Sequence, residues 1–226
     1  MSSPENTPKF TIYEYGSDVI LALTDIKLKC KDTTYNGIHI LEEAEPLGTQ
    51  HLKTGDIIEE IDKLPQFIRK YISIVVLFPF ACPYEEDEGD PILADAKWHR
   101  GQVTIYAIPQ DRSVLKDVLA RNHTLAHEAG HIIDREIMRN KGHSSNYLSY
   151  TPQWARAMCE DVRIKRSESN MPSYLVSQYA EKRQSIGEDF ADSVKCFSFQ
   201  EGRVFLKDNF PNRYKILEEF LEPKTQ

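Results

Sequence analysis

The sequence has no apolar stretch near the roughly 20 residues that a membrane-spanning helix requires. The longest apolar run, Tyr71 to Cys82, carries Ser73 and Pro79 and reads as a strand. Cysteine is scarce. Cys30, Cys82, Cys159 and Cys196 lie far apart and form no C-x-x-C pair, so a thiolate zinc site is not expected and reduced thiols are. Basic residues are outnumbered, with 28 Lys and Arg against 35 Asp and Glu and a formal charge of -7. No dense basic run stands out, so nucleic acid is not an expected partner. Internal repeats and low-complexity tracts are also missing, which leaves collagen-like and coiled-coil architectures without support. The first residues, Met1 to Asn6, lack the positive-then-apolar pattern of a secretory leader. The expectation is a chain that is cytoplasmic as synthesised, or one that is secreted or delivered as a mature form or without a leader.

What is present suffices for a packed core: 226 residues, 40% of them apolar, with ten Phe and eleven Tyr. Residues 1–8 read as a loose tail. Phe10–Tyr15 and Asp18–Thr24, separated by Gly16, read as a hairpin, and Gly37–Leu41 as another short strand. Helical spacing begins at Asp56 and runs to Ile61, and Pro65 interrupts that helix or opens the next. Ile72–Phe78 is almost continuously apolar, the mark of a buried strand. The segment 85–90 is acidic and reads as a solvated loop, or as a rim that attracts basic substrates or a cation. Gly101–Ile108 alternates like a strand.

Helical patterning then takes over from Ser113 to Gly142, with Ser113 suited to cap its start and Gly142 its end. Thr151-Pro152 opens a helix to about Lys165, Ser167–Pro172 is a loop, Gly187–Phe197 is a helix, and Phe210-Pro211 opens a last helix through Leu221. Strands first and helices later predict an α+β fold, strand-richer over 9–110 and helical over 111–222. Residues 9–226 are expected to form a single domain and the chain a monomer.

Chemistry concentrates at Leu125-Ala126-His127-Glu128-Ala129-Gly130-His131, an H-E-x-x-H sequence within a predicted helix. Residues four apart share one helical face, about 6 Å apart. Both imidazoles can therefore reach one zinc ion at roughly 2.0–2.1 Å. Glu128, one residue further round, is placed to act on a water as general base. A third ligand is needed. The extended motif with a third histidine is excluded, because Asp134 and Ile137 stand where it requires Gly and His. Glu188 in Glu188-Asp189-Phe190-Ala191-Asp192 is the preferred candidate. Asp192, four residues on, is suited to accept the spare ring N–H of His127 or His131. Glu160, Asp161, Glu181 and His143 are rival ligands. Gly187 and Ala191 are small enough to let two helices approach closely. His123 reads as a bystander at the rim, and Asp134 as a support for a ligand or the partner of a basic residue. Peptide hydrolysis also needs an oxyanion donor, for which Tyr179 is preferred over Tyr174. In zinc peptidases an edge strand before the zinc helix pairs with extended substrate. By analogy that role falls to Gly101–Ile108, preceded by Trp98 and His99.

HEAGHIID, the later SQYA, EDFADSV and the closing FPNRYKILEEFL resemble the catalytic domain of the anthrax lethal factor-like zinc peptidases, the group to which the clostridial Pro-Pro endopeptidases belong. The resemblance runs from about residue 113 to 221. It implies a zincin-like fold of the gluzincin type, with His127, His131 and Glu188 as ligands of one catalytic Zn2+, Glu128 as the catalytic base and Tyr179 as the transition-state tyrosine. The function implied is that of a toxin-like zinc metalloendopeptidase acting on a peptide or protein. Two alternatives stand beside it: a zinc-binding regulatory or scaffold protein without turnover, and a zinc hydrolase of non-peptide substrates.

Overall fold

The computed structural model describes residues 11–15, 18–23, 26–44, 52–82, 92–108, 110–121, 123–142, 147–168 and 175–222. The predicted tail at 1–8, the acidic segment 85–90, His143 and Tyr174 lie outside them. Among the described residues the chain is α+β, with one mixed seven-stranded sheet followed by a run of helices. None of these helices is long and apolar enough to cross a membrane.

The strands are β1 (Thr11–Tyr15), β2 (Asp18–Leu23), β3 (Ile26–Tyr35), β4 (Ile38–Glu43), β5 (Ile74–Phe78), β6 (Ala94–Lys97) and β7 (Gln102–Tyr106). Their order across the sheet is β1-β2-β3-β4-β5-β7-β6. The expected hairpin is present as β1 and β2, antiparallel with Tyr15 opposite Asp18. β3, which the sequence pattern does not announce, continues the meander into β4 through Asn36-Gly37, both at positive φ as a tight two-residue turn requires. β5 then joins β4 in parallel, after a crossover that contains α1 (Thr54–Lys63) and α2 (Gln66–Arg69). β7 pairs with β5 in parallel and β6 with β7 antiparallel.

One correction follows for substrate pairing. Gly101–Ile108 does not contain the edge strand, because β7 is enclosed between β5 and β6. The terminal strand at this end of the sheet is β6, ADAK, whose composition carries little β signal and whose conformation is set by its partner.

β5 is buried on both faces, as its unbroken apolar run predicts. Val75 and Leu77 face the helices and share a cluster with Ile40, Val103 and Ile105. Val76 and Phe78 face the other way with Leu41 and Tyr106. The helix-side cluster extends from Ile38 to Leu221. Each fully buried branched or aromatic side chain in it contributes on the order of 1.5–3 kcal/mol.

The helices after β7 are α3 (Arg112–Arg121), α4 (Thr124–Asn140), α5 (Pro152–Glu168), α6 (Gln178–Arg183), α7 (Ile186–Ser198), α8 (Gln200–Asn209) and α9 (Pro211–Leu221). The single helical pattern expected from Ser113 to Gly142 is two helices. His123 adopts a left-handed conformation at φ 47° and stands as the N-cap of α4, which breaks the ladder between Arg121 and Thr124. α3 begins at Arg112, so Ser113 lies inside it and does not cap it. Gly142 behaves as expected at the other end of α4: its φ is 83° and its N–H donates to Arg139 O at 2.9 Å. α5 and α9 start at their prolines, where the missing N–H costs nothing.

Candidate metal centre

His127, Glu128 and His131 lie on α4 and Glu188 and Asp192 on α7. The two helices cross where Gly130 meets Ala191. A Cβ built on Gly130 would stand 2.7 Å from Ala191 Cα and 3.0 Å from Ala191 O. Close approach therefore depends on Gly130, inside the H-E-x-x-H sequence, and on Ala191. Gly187 takes no part, since a Cβ there would meet only Ser185 Oγ at 3.7 Å.

This crossing brings three ligand-type atoms together. His127 Nε2 lies 3.1 Å from Glu188 Oε2 and 3.3 Å from His131 Nε2. His131 Nε2 is 3.5 Å from Glu188 Oε2. Three ligands about 2.0–2.1 Å from one tetrahedral ion stand about 3.3 Å apart, so the set fits a zinc-sized cation. Among the described residues, these three form the group of His, Cys, Asp and Glu side chains able to hold a metal ion.

The surrounding charges favour the same occupant. His127 Nδ1 donates to Asp192 Oδ1 at 2.9 Å, so that in the neutral ring the Nε2 lone pair faces Glu188 and His131. Burial alone would push the His127 imidazole down; its bonds to Asp192 and Glu188 outweigh burial and lift it to about 10. Burial likewise opposes ionisation of Glu188, but the two imidazoles hold its carboxyl far below the ordinary range. Glu128 is 7% exposed. Burial raises its carboxyl above the ordinary value, His127 and His131 draw it back, and Glu188 and Asp95 raise it further. With neutral imidazoles the carboxylates of Glu128, Glu188 and Asp192 exceed the single ammonium of Lys195, which sits 2.5 Å from Asp192. A divalent cation between the imidazoles would balance that excess.

Asp192 has a second duty that the sequence does not disclose. Its other oxygen accepts from Ser177 Oγ. The same hydroxyl caps α6 by accepting from Ala180 N at 3.0 Å. One buried carboxylate thus ties His127 to the helix that carries Tyr179. The Tyr179 ring lies 6.1 Å from the His127 ring, and the Arg183 guanidinium lies 5.6 Å from the Tyr179 ring.

His127, Glu128, His131, Glu188, Tyr179 and Arg183 line a cleft of about 700 Å³. Ala94, Asp95 and Ala96 of β6, with Tyr147 and Tyr150, also contribute to its lining. Trp98 and Arg135 brace the wall: the guanidinium lies 3.6 Å from the indole and donates to Tyr147 OH at 2.8 Å. Tyr147, Tyr150, Arg183 and Asp95 escaped sequence reasoning. The one signal available for this lining was the aromatic spacing of Tyr147 and Tyr150.

The other expectations resolve as follows. Asp161 is fully buried and bonded to Arg213, so it is not a ligand. Glu160 and Glu181 are exposed and stand outside the ligand group. Among the described residues Asp134 is held by Ser149, through its N–H at 2.7 Å and its Oγ at 2.6 Å, and not by a Lys or Arg. Even so, burial lifts its carboxyl to about 6 against the pull of those bonds. His123 is not at the cleft rim. It stacks on Phe199 with ring centroids 3.8 Å apart.

Scans against protein-family models and against curated proteins found no match to this chain.

Proposed function

We propose that the chain is a zinc-dependent metalloendopeptidase of zincin-like architecture, related to the lethal factor-like peptidases it resembles. The observation that carries this reading is the convergence of His127 Nε2, His131 Nε2 and Glu188 Oε2 at 3.1–3.5 Å. Zinc held there would supply Lewis acidity, polarising a scissile carbonyl and acidifying a water.

The protein's own groups account for the remaining work. Glu128 sits beside the ligands with a carboxyl raised by burial, which suits it to take a proton from the attacking water and return it to the departing nitrogen. The Tyr179 hydroxyl donates to the oxygen that gains charge in the transition state. β6 ends the sheet and lines the cleft, so an extended peptide adds alongside it as a further strand. Asp192 holds the His127 tautomer and, through Ser177, keeps α6 in register with the ligands.

Glu128→Gln removes the proton acceptor and leaves all three ligands. Peptide-library digestion should show new N-termini with the wild-type protein and a fall of about 10²–10⁴ in rate with the variant. Undiminished cleavage by Glu128→Gln would sink the reading. A zinc-loaded wild type that releases no peptide termini would favour a scaffold or a non-peptide hydrolase.

A further inference from the structure

A second cavity, of about 260 Å³, lies behind Trp98 and is lined by Lys70, His99, Arg100 and Arg139 with Glu136 as its one carboxylate. In a chain with an acidic excess, Lys70, Arg100 and Arg139 against one lining carboxylate are a local reversal of sign. Glu136 pairs with Arg139 at 3.2 Å. His99 feels the same field. Burial, then the charges of Arg100, Lys97 and Arg135, hold its imidazole below the ordinary value, which leaves it a neutral N–H donor at pH 7. Ser73 adds a hydroxyl to the lining.

The cavity is built on fixed backbone. Gly101, at φ 58°, closes the turn from Trp98 by donating to its carbonyl at 3.1 Å. Gly101 O in turn accepts from Ser73 N at 2.7 Å. A side chain at Gly101 would stand 2.7 Å from Tyr71 O, so only glycine lets the two walls meet. On its far side the Trp98 indole is held by Arg135. The backbone on which the basic groups stand is thus preformed, which lowers the ordering cost of binding.

Its position gives the cleft a use. Trp98 lines both cavities, and β6 leads straight from the candidate metal centre to Trp98. A peptide paired along β6 and continuing past Lys97 at about 3.3 Å per residue would run toward Trp98, the residue the two clefts share. We propose that the second cleft is a subsite for an anionic side chain, a carboxylate or a phosphate, on an extended peptide bound along β6. The proposal rests on the peptidase reading for the identity of that peptide as substrate.

The test uses the full chain with zinc and peptide pairs that differ only by Glu against Gln at each position flanking the cleaved bond. At one position wild type should favour Glu by about tenfold in kcat/KM, the strength of a charge-assisted hydrogen bond. That preference should fade with added salt. It should vanish in Lys70→Gln/Arg139→Gln and invert in Lys70→Glu/Arg139→Glu, while the all-Gln peptide is cleaved at the wild-type rate by every variant. Equal rates for Glu and Gln at every position, or a preference that survives Lys70→Gln/Arg139→Gln, would overturn the inference. So would binding of inorganic phosphate that depends on Lys70 and Arg139 without any Glu preference, since that marks a free-anion site. The same peptide pairs, labelled and titrated into Glu128→Gln by fluorescence anisotropy, separate the two readings. A Lys70/Arg139-dependent preference in binding with no cleavage by wild type sustains the subsite and removes only the peptidase.

Discussion

Replacing Gly130 by alanine should weaken metal binding without touching a ligand. The new Cβ would sit 2.7 Å from Ala191 Cα, at least about 0.7 Å inside an ordinary carbon–carbon contact. Both neighbours are backbone or near-backbone atoms, so no side chain can swing aside and α7 must move off α4 by most of that distance. Glu188 rides on α7, while His127 and His131 stay on α4. Ligand distances in a zinc site tolerate only about 0.2 Å. A displacement several times larger should lower zinc affinity by at least about tenfold, and overpacking should cost roughly 1–3 kcal/mol of stability. Competition with a chromophoric chelator gives the affinity, and denaturant unfolding of the zinc-free protein gives the stability. Zinc affinity unchanged within twofold would refute the link between the Gly130–Ala191 crossing and the ligand geometry.

Three further outcomes are expected. Asp192→Asn keeps the size of the side chain but loses the charge that His127 Nδ1, Lys195 and Ser177 all address; zinc affinity should fall by about 10–100-fold, as titration would show. Arg213→Ala removes a fully buried guanidinium from between Asp161 and Asp189, to which it donates at 3.1 Å and 2.7 Å. The two stranded carboxylates should cost about 3–5 kcal/mol in denaturant unfolding, and a loss below 1 kcal/mol would contradict the pairing. Asp56 accepts from Arg112 at 2.9 Å and Lys116 at 3.0 Å, clamping α1 to α3. Burial opposes its ionisation, but these donors and Lys53 N–H hold its carboxyl below the ordinary value. A lowered folded value stabilises the protein above the unfolded pKa of about 3.9, and the contribution disappears as pH falls through the folded value. Asp56→Asn should therefore lose about 1–3 kcal/mol at neutral pH and show a flatter stability profile below pH 5.

Legibility in the sequence followed the range of the interactions. Spacing within one helix placed His127, Glu128 and His131 on α4, and Glu188 and Asp192 on α7, because an i, i+4 relation is local. Pro152, Pro211 and Gly142 marked helix ends for the same reason. The apolar run 72–78 announced β5, which is buried on both faces. Elements fixed by partners across the fold were hidden. β6 is four residues of weak β composition held by β7, and β3 mixes Lys and Asp with its apolar residues. Likewise, nothing local shows that Asp161, Asp189 and Arg213 meet in the interior, or that His123 would take a left-handed conformation and split one helical pattern in two. Small residues on α7 point to Gly187, yet the crossing falls at Gly130 and Ala191, because the crossing point depends on how two helices pack and not on where small residues occur.

Zinc stoichiometry tests the central claim most directly. Native mass spectrometry of the full chain, reconstituted with zinc and freed of excess metal, should show one zinc per chain in the wild type and in Glu128→Gln. Zinc should be lost in Glu188→Gln and in His131→Ala while both variants remain folded by circular dichroism. A wild-type chain that takes up no zinc, or a Glu188→Gln/His131→Ala double variant that binds it as tightly as wild type, would contradict the assignment of His127, His131 and Glu188 as the metal centre.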